Sequence, residues 1–201
     1  MKLLFNLMVV VMAVLLVGCG PEVKRGGPGT ENEEMDVPAM SLRLDRSDLD
    51  YMVRLNIRAL EASRFWIGEV SLVEPQPLVS IWPIMNSTTQ HIDDQLNELL
   101  SSIETFLVNS GEVGVVSRER QFELIDELQI RQSEFFDPAT AGRIGKMLGA
   151  KYFMTGKISS VEEKLKDTRR VQYSLFMQVI EVETGLIKFQ NEAIRSKTIK
   201  G

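Results

Sequence analysis

Residues 151–199 have the sequence KYFMTGKISSVEEKLKDTRRVQYSLFMQVIEVETGLIKFQNEAIRSKTI and contain most of the sheet that this chain is expected to form. Two long extended segments, 151–165 and 171–185, are separated by polar turn residues, and the turn ETG leads into a third segment, 186–199. This pattern predicts three consecutive strands connected by hairpin turns.

The middle strand alternates apolar and polar side chains. Its apolar positions are Val171, Tyr173, Leu175, Met177 and Val179, and the polar positions between them include Gln172, Ser174 and Gln178. Successive side chains of a strand point to opposite faces of the sheet. We therefore expect one buried face and one solvated face.

A helix and a strand are predicted nearer the N-terminus. Ser47 is a plausible cap for the helix, whose apolar stripe comprises Leu49, Val53, Ile57 and Leu60. The sequence PLVSIWPIMNSTT, residues 77–89, then predicts a buried strand. We expect Pro83 to end this strand, because proline has no donor for the ladder of hydrogen bonds.

A long amphipathic helix follows, for which Asn86, Ser87 and Thr88 are candidate caps. Its apolar face comprises Ile92, Leu96, Leu99, Leu100, Ile103, Phe106 and Leu107. A stripe of this width is typical of a helix that covers a sheet.

Two shorter helices complete the pattern. The sequence VGVVSRERQ, residues 113–121, predicts a short strand and a helix capped by Ser117. The next helix has Asp137 as its expected cap, Pro138 in its first turn and Gly149 at its end. The order is α, β, α, β, α, α, β, β, β. It predicts an α/β sandwich, in which helices pack on a mixed sheet.

The N-terminus has the profile of a secretory signal peptide, residues 1–18. Lys2 is followed by a run from Leu3 to Val17 that is apolar apart from Asn6. A membrane-spanning helix needs about 20 apolar residues. The run is shorter, so a spanning segment is the weaker interpretation.

Leu16, Val17, Gly18 and Cys19 resemble the lipobox of bacterial lipoproteins. The resemblance implies that Cys19 becomes a lipidated N-terminus, with an uncleaved tail or an ordinary buried cysteine as the alternative. Gly20 follows where an aspartate tends to retain such proteins at the inner membrane, so the resemblance favours the outer membrane. Cys19 is the only cysteine of the chain, which leaves no second thiol for a disulfide.

Residues 19–47 are expected to form a tether after the lipidated cysteine, and residues 48–201 a single domain. The tether is rich in Gly, Pro and acidic residues and has few large apolar side chains. Such a composition buries too little apolar surface to offset the entropy of ordering.

The composition argues against catalysis and against nucleic-acid binding. His91 is the only histidine, and we expect a surface or capping role for it, because no second imidazole or free thiol could share a metal with it. The GRIGKM segment lacks the first glycine and the Ser or Thr of a phosphate-binding loop. The formal net charge is -5, which does not favour a polyanionic partner. No metal, cofactor or enzymatic activity is predicted.

Two segments are candidate partner-binding sites. Phe65 and Trp66 lie between the first helix and the first strand; core packing is the default expectation, and an exposed pair would be an anchor for a partner. Lys166, Arg169 and Arg170 lie in the KDTRR segment. This segment is expected to be a solvated hairpin tip, with docking of an acidic surface as the alternative.

The folded part of the chain resembles the LpoB family of outer-membrane lipoproteins, which activate penicillin-binding proteins. The most specific features are LGAKYFMTGKI, residues 148–158, at a helix-to-strand turn, and VETG, residues 182–185, at a hairpin. The wider superfamily, which includes the secretion lipoprotein CsgG and the N-terminal domain of TolB, shares the same outline.

The resemblance implies a non-enzymatic regulator that is anchored in the outer membrane and docks on a class A penicillin-binding protein. A structural or secretion-assembly role like that of CsgG is the alternative. One feature departs from the family pattern: residues 20–47 contain only Pro21, Pro28 and Pro38, whereas the family tether is longer and rich in proline.

Overall fold

A computed structural model of the chain describes residues 41–130 and 138–200, together with Glu34 and Ala39. The predicted signal peptide, the predicted lipidation site Cys19 and the expected cap Asp137 lie outside the described residues.

Five strands form one mixed sheet in the order β2-β1-β3-β4-β5. The strands are β1 (Leu78–Ser87), β2 (Gly114–Val115), β3 (Tyr152–Leu165), β4 (Thr168–Glu181) and β5 (Ile187–Lys200). β1 pairs in parallel with β2 and β3, whereas β3, β4 and β5 pair antiparallel. The predicted mixed sheet and its three consecutive C-terminal strands are confirmed.

Helices pack on both faces of this sheet. They are α1 (Arg46–Glu61), α2 (Asp93–Ser110), α3 (Arg118–Glu127) and α4 (Pro138–Met147), and a π-helical turn (Trp66–Val70) follows α1. α1 and α2 share the larger hydrophobic core with the sheet, and α3 and α4 contribute to a smaller core around Trp82 and Phe153 on the opposite face. In the described part of the chain, no helix has the length and apolarity needed to cross a membrane.

The larger core follows the predicted periodicities. The buried residues of α2 are Leu96, Leu99, Leu100, Ile103 and Leu107. In β4, Val171, Tyr173, Leu175, Met177 and Val179 are buried, and the polar side chains between them are only partly buried. The solvated and buried faces predicted for this strand are therefore confirmed.

β1 continues through Pro83, so the prediction that this proline ends the strand is wrong. The pairing with β3 shifts between Ile81 and Ile84: Ile81 pairs with Met154, and Ile84 pairs with Gly156. A bulge at this point accommodates a residue that cannot donate to the ladder.

Two predicted caps are also wrong. α1 begins at Arg46, and its cap is Asp45 rather than Ser47, because Asp45 and Asp48 form a reciprocal capping box. Asn86 and Thr88 do not cap α2; their side chains hydrogen-bond within the turn that precedes the helix. Ser117 accepts a hydrogen bond from the Arg120 amide, so the predicted cap of α3 is confirmed.

Glycines allow α4 to approach the sheet closely and then to end. Gly149 has a φ of 71°, a conformation that side chains rarely adopt, and its amide bonds the carbonyl of Lys146. A Cβ at Gly145 would lie 2.7 Å from Cγ2 of Val182. Packing of the helix against this valine therefore requires glycine at position 145.

A buried ionic cluster joins the start of α1 to β5. Lys197 Nζ lies 2.5 Å from Asp45 Oδ2 and 2.5 Å from Asp48 Oδ2, and it donates to the carbonyl of Arg43 at 2.7 Å. Asp48 is only 2% exposed, and its other oxygen lies 3.3 Å from Arg195 Nε. Burial disfavours the charged ammonium, but the hydrogen bonds with Asp45 and Asp48 outweigh it and raise the pKa of Lys197 above its ordinary value.

Further contacts outside this cluster hold the residues that precede α1. Tyr173 donates to the carbonyl of Leu42 at 2.8 Å, the amide of Leu44 donates to Gln90 Oε1 at 3.1 Å, and the side chain of Leu44 is buried. Residues 42–45, which the sequence analysis placed in the tether, therefore contact the domain.

Gly145→Ala is expected to lower the free energy of unfolding by about 1–3 kcal/mol, because the added methyl group overpacks against Val182. Urea unfolding measures this change. Gly142→Ala is the matched control, since a Cβ there would lie 3.6 Å from the carbonyl oxygen of Val182, an ordinary contact. The control should gain about 0.5–1 kcal/mol from helix propensity. Equal stability of the two variants would contradict the close approach of α4.

Lys197→Met is expected to lower the free energy of unfolding by about 3 kcal/mol, because it leaves the carboxylate of Asp48 buried without its closest cation. Lys164→Met changes an exposed lysine of β3 and should stay within about 0.5 kcal/mol of the unsubstituted protein. If the two variants were equally stable, the ionic cluster would contribute nothing to the free energy of unfolding.

The Lys197→Met variant should also have a flatter dependence of stability on pH. Burial opposes ionisation of Asp45, but hydrogen bonds from Lys197 and the Asp48 amide lower its pKa overall, so its contribution is lost as the pH falls below about 4. The raised pKa of Lys197 gives a contribution that is lost as the pH rises above about 10. Denaturant titrations at a series of pH values across this range measure the stability of both proteins. If stability depended on pH in the same way in the variant and in the unsubstituted protein, this assignment would be wrong.

Candidate partner-binding surfaces

The only histidine lies at the surface. His91 is exposed, and α2 begins two residues later, with Ile92 in the cap position. We expected His91 to lie at the surface or to cap the helix, and the structure places it at the surface. Among residues 41–130 and 138–200, no group of three or more His, Cys, Asp or Glu side chains is arranged to hold a metal ion.

The basic segment lies partly in the sheet rather than at a hairpin tip. Leu165 pairs with Thr168, so the turn consists of Lys166 and Asp167 alone. Lys166 has a φ of 48°, as the tight turn requires. Arg169 and Arg170 belong to β4, where their backbone is fixed by pairing with β3.

Both arginines form ion pairs with glutamates of β3. Arg169 donates from Nε and Nη2 to the two oxygens of Glu162, and Arg170 Nη2 lies 2.5 Å from Glu163 Oε2. The hydrogen bond from Arg169 lowers the pKa of Glu162 below its ordinary value. These exposed pairs balance the positive charge locally, so the segment does not present a strongly basic surface to an acidic partner.

Phe65 and Trp66 are core residues. Both are buried, the ring of Phe65 packs edge to face on Tyr152 at 5.0 Å, and the indole Nε1 of Trp66 donates to Glu112 Oε2 at 2.6 Å. The default expectation of core packing is observed. The alternative, an exposed anchor for a partner, does not fit their burial.

A shallow groove lies between α2 and α3. Its lining residues are Asn97, Glu98, Ser101, Glu104, Ser117, Arg118, Glu119 and Phe122. Arg118 crosses it, with Nε 2.8 Å from Glu104 Oε2 and Nη2 2.7 Å from Ser101 Oγ. The charge of Arg118 is therefore balanced within the lining of the groove.

The sequence analysis missed a surface that spans three strands. We call it the outer face: the side of β3, β4 and β5 that lies opposite α1 and α2. Its four central cross-strand rows are Thr155, Gln178 and Gln190; Lys157, Phe176 and Glu192; Ser159, Ser174 and Ile194; and Val161, Gln172 and Ser196, and the row of Glu163, Arg170 and Thr198 follows towards the β3–β4 turn. All of these side chains are exposed or half-buried. The predicted solvated face of β4 was the sequence signal for this surface.

Small polar contacts within two of these rows connect neighbouring strands. Ser159 Oγ and Ser174 Oγ lie 3.0 Å apart, and Gln178 Nε2 lies 3.3 Å from Gln190 Oε1. The polar side chains of the outer face are therefore partly paired with one another.

Comparison with known proteins identifies relatives of the chain. A family model described as the peptidoglycan-synthase activator LpoB matches residues 52–194. The LpoB C-terminal domain from Salmonella enterica superposes with a TM-score of 0.55 at 17% identity, covering 74% of this chain and 98% of that one. The corresponding domain from Escherichia coli superposes with a TM-score of 0.55 at 18% identity, covering 75% and 99%. The comparison with curated proteins gives no match.

The two structural similarities show a shared fold and nothing further, because the sequence identities are only 17% and 18%. The family model extends over most of the chain, from α1 to β5. The chain therefore belongs to the LpoB family of peptidoglycan-synthase activators.

Proposed function

We propose that this protein is an outer-membrane lipoprotein that binds a class A penicillin-binding protein and activates it allosterically. The match of residues 52–194 to the LpoB family is the observation that carries the proposal. The proposed organisation is a signal peptide at 1–18, a lipidated Cys19 followed by a tether, and one domain. The tether expected at 19–47 is shortened at its end, because residues 42–45 contact the domain and α1 begins at Arg46.

The proposed anchor is the lipid on Cys19. Each buried methylene group contributes about 0.8 kcal/mol, and stable anchoring needs two or more acyl chains. A diacylated and N-acylated cysteine meets this requirement. Because the lipid would supply the membrane affinity, the exposed apolar side chains of the domain would not be needed for anchoring and could contact a protein partner.

The contacts of residues 42–45 bear on the reach of this anchor. Because Lys197 and Tyr173 hold these residues on the domain, the connecting chain comprises residues 20–41. A chain of this length spans at most about 75 Å when fully extended. This length limits how far the domain can lie from the membrane surface, and the partner must meet the domain within that range.

Activation requires that the protein bind the active form of the synthase more tightly than its idle form, since only a difference in affinity shifts the equilibrium between them. A coupling of about 1–3 kcal/mol corresponds to a 5- to 150-fold effect. The protein supplies a binding surface in this scheme and no reacting group.

Addition of the mature lipoprotein in detergent to a purified class A penicillin-binding protein is expected to raise the initial rate of glycan polymerisation at least about fivefold. Lipid II consumption measures the rate, and heat-denatured lipoprotein is the control. An unchanged rate across the class A synthases of the host would contradict the proposal. A stable ring by light scattering would favour the secretion-assembly alternative.

Cys19→Ser is expected to release the exported protein from the membrane, because it removes the sulfur that carries the lipid. Incorporation of labelled palmitate and membrane fractionation measure the change. The purified variant should still activate the synthase in solution, which separates anchoring from binding. Membrane retention of the variant through acylation elsewhere would contradict the assignment of Cys19.

A further inference from the structure

We propose that the outer face, centred on Ser174, is the surface on which the synthase docks. This inference rests on the proposed function and specifies where the contact lies.

The centre of the outer face is depleted of charge. Within its four central rows, only Lys157 and Glu192 are charged, whereas a quarter of all residues in the chain are Asp, Glu, Lys or Arg, and the ion pair of Glu163 and Arg170 lies in the row at its edge. Neither Lys157 nor Glu192 forms an ion pair with another described residue. Depletion of charge is the compositional sign of the centre of a protein interface.

Apolar side chains are exposed around the centre of this face. Val161 is 61% exposed, Ile194 is 47% exposed, and Phe176 lies half-buried between Lys157 and Glu192. Ser174 pairs directly with Ile194 and lies one row from Val161. The hydroxyl and amide groups between these side chains can hydrogen-bond to a partner without the cost of burying an unpaired charge.

The dimensions suit a protein partner. Three strands spaced about 4.8 Å apart, with a rise of about 3.4 Å per residue, give a surface about 14 Å wide and 20 Å long over the four rows. Met85 of β1 extends it beyond Lys157, with which it pairs. The flat area of these rows is about 280 Å², against about 800 Å² per partner in a standard interface, so the four rows form the centre of the proposed contact and the partner also touches residues around them.

The described residues that precede α1 leave this surface clear. Residues 42–45 contact Tyr173 and Lys197, whose side chains point to the face covered by α1 and α2. Ser174 and Ser196 alternate with them and point to the outer face. Residues 42–45 therefore leave the outer face accessible to a synthase.

Composition favours a reversible partner over a second copy of this chain. Obligate homodimer interfaces resemble a divided hydrophobic core. The outer face has only scattered apolar side chains, Met85, Val161, Phe176 and Ile194, among serines, threonine and glutamines. This mixture matches interfaces that form and dissociate, as an activator on its enzyme requires.

Ser174→Arg and Ile194→Glu, made in the mature lipoprotein, are expected to weaken its affinity for the activated synthase at least about tenfold and to reduce activation in parallel. Surface plasmon resonance and the polymerisation assay measure the two effects. Each variant has a matched control, Ser102→Arg and Val108→Glu respectively. Both controls change exposed residues of α2, the helix on the opposite side of the sheet. Both controls should bind like the unsubstituted protein, and circular dichroism checks folding of all four.

Three outcomes would overturn the inference. If all four variants bind and activate normally, the outer face is not the docking surface, although the proposed function stands. If the unsubstituted protein binds no class A synthase, the proposed function fails and the inference fails with it. If light scattering shows a dimer that Ser174→Arg dissociates while synthase binding is unchanged, the outer face is a contact between two copies.

Discussion

Burial of the inward side chains of β4 beneath α1 and α2 is the constraint on which the rest of the structure depends. β4 is the central strand of the antiparallel part, and its alternate residues from Val171 to Val179 lie in the larger core. A shift of register by one residue would turn every one of them to the other face. The neighbouring strands and the helix that covers them are therefore fixed relative to β4.

Polar residues inside this core make the arrangement specific. Asn56 of α1 is fully buried, donates to the carbonyl of Leu175 in β4 and accepts a hydrogen bond from Asn191 of β5. Lys197 forms its ion pairs with Asp45 and Asp48 on the same face. Each of these groups would be costly to bury without its partner, so α1 can pack here in only one position.

The two faces of the sheet thereby acquire different roles. One face carries α1 and α2 and holds the segment that leads to the proposed anchor. The other carries α3 and α4 at one end and leaves the outer face, with Lys157 and Glu192 as the charged residues of its four central rows, accessible across β3, β4 and β5. We infer that the face with α1 and α2 holds the segment that leads to the anchor, and that the outer face binds the partner protein. Family membership supports the synthase as the partner in this arrangement.

Local periodicity in the sequence was sufficient to predict the order of the elements, the apolar stripe of α2, the alternation of β4, the cap at Ser117 and the end of α4 at Gly149. Each of these depends on neighbours a few residues apart, so the physical cause is contained in a short segment. The basic segment and the pair at Phe65 and Trp66 were identified by residue type alone, which does not reveal burial or cross-strand partners.

The remaining features depend on residues that are distant in the sequence. Pro83 is tolerated because β3 supplies a bulged pairing, and Asp45 is held by Lys197 from the far end of the chain. Glu162 and Glu163 balance Arg169 and Arg170 because a two-residue turn sets the register. The outer face exists only when three strands lie side by side. No local pattern encodes such neighbours, because strand pairing brings together side chains that the sequence separates.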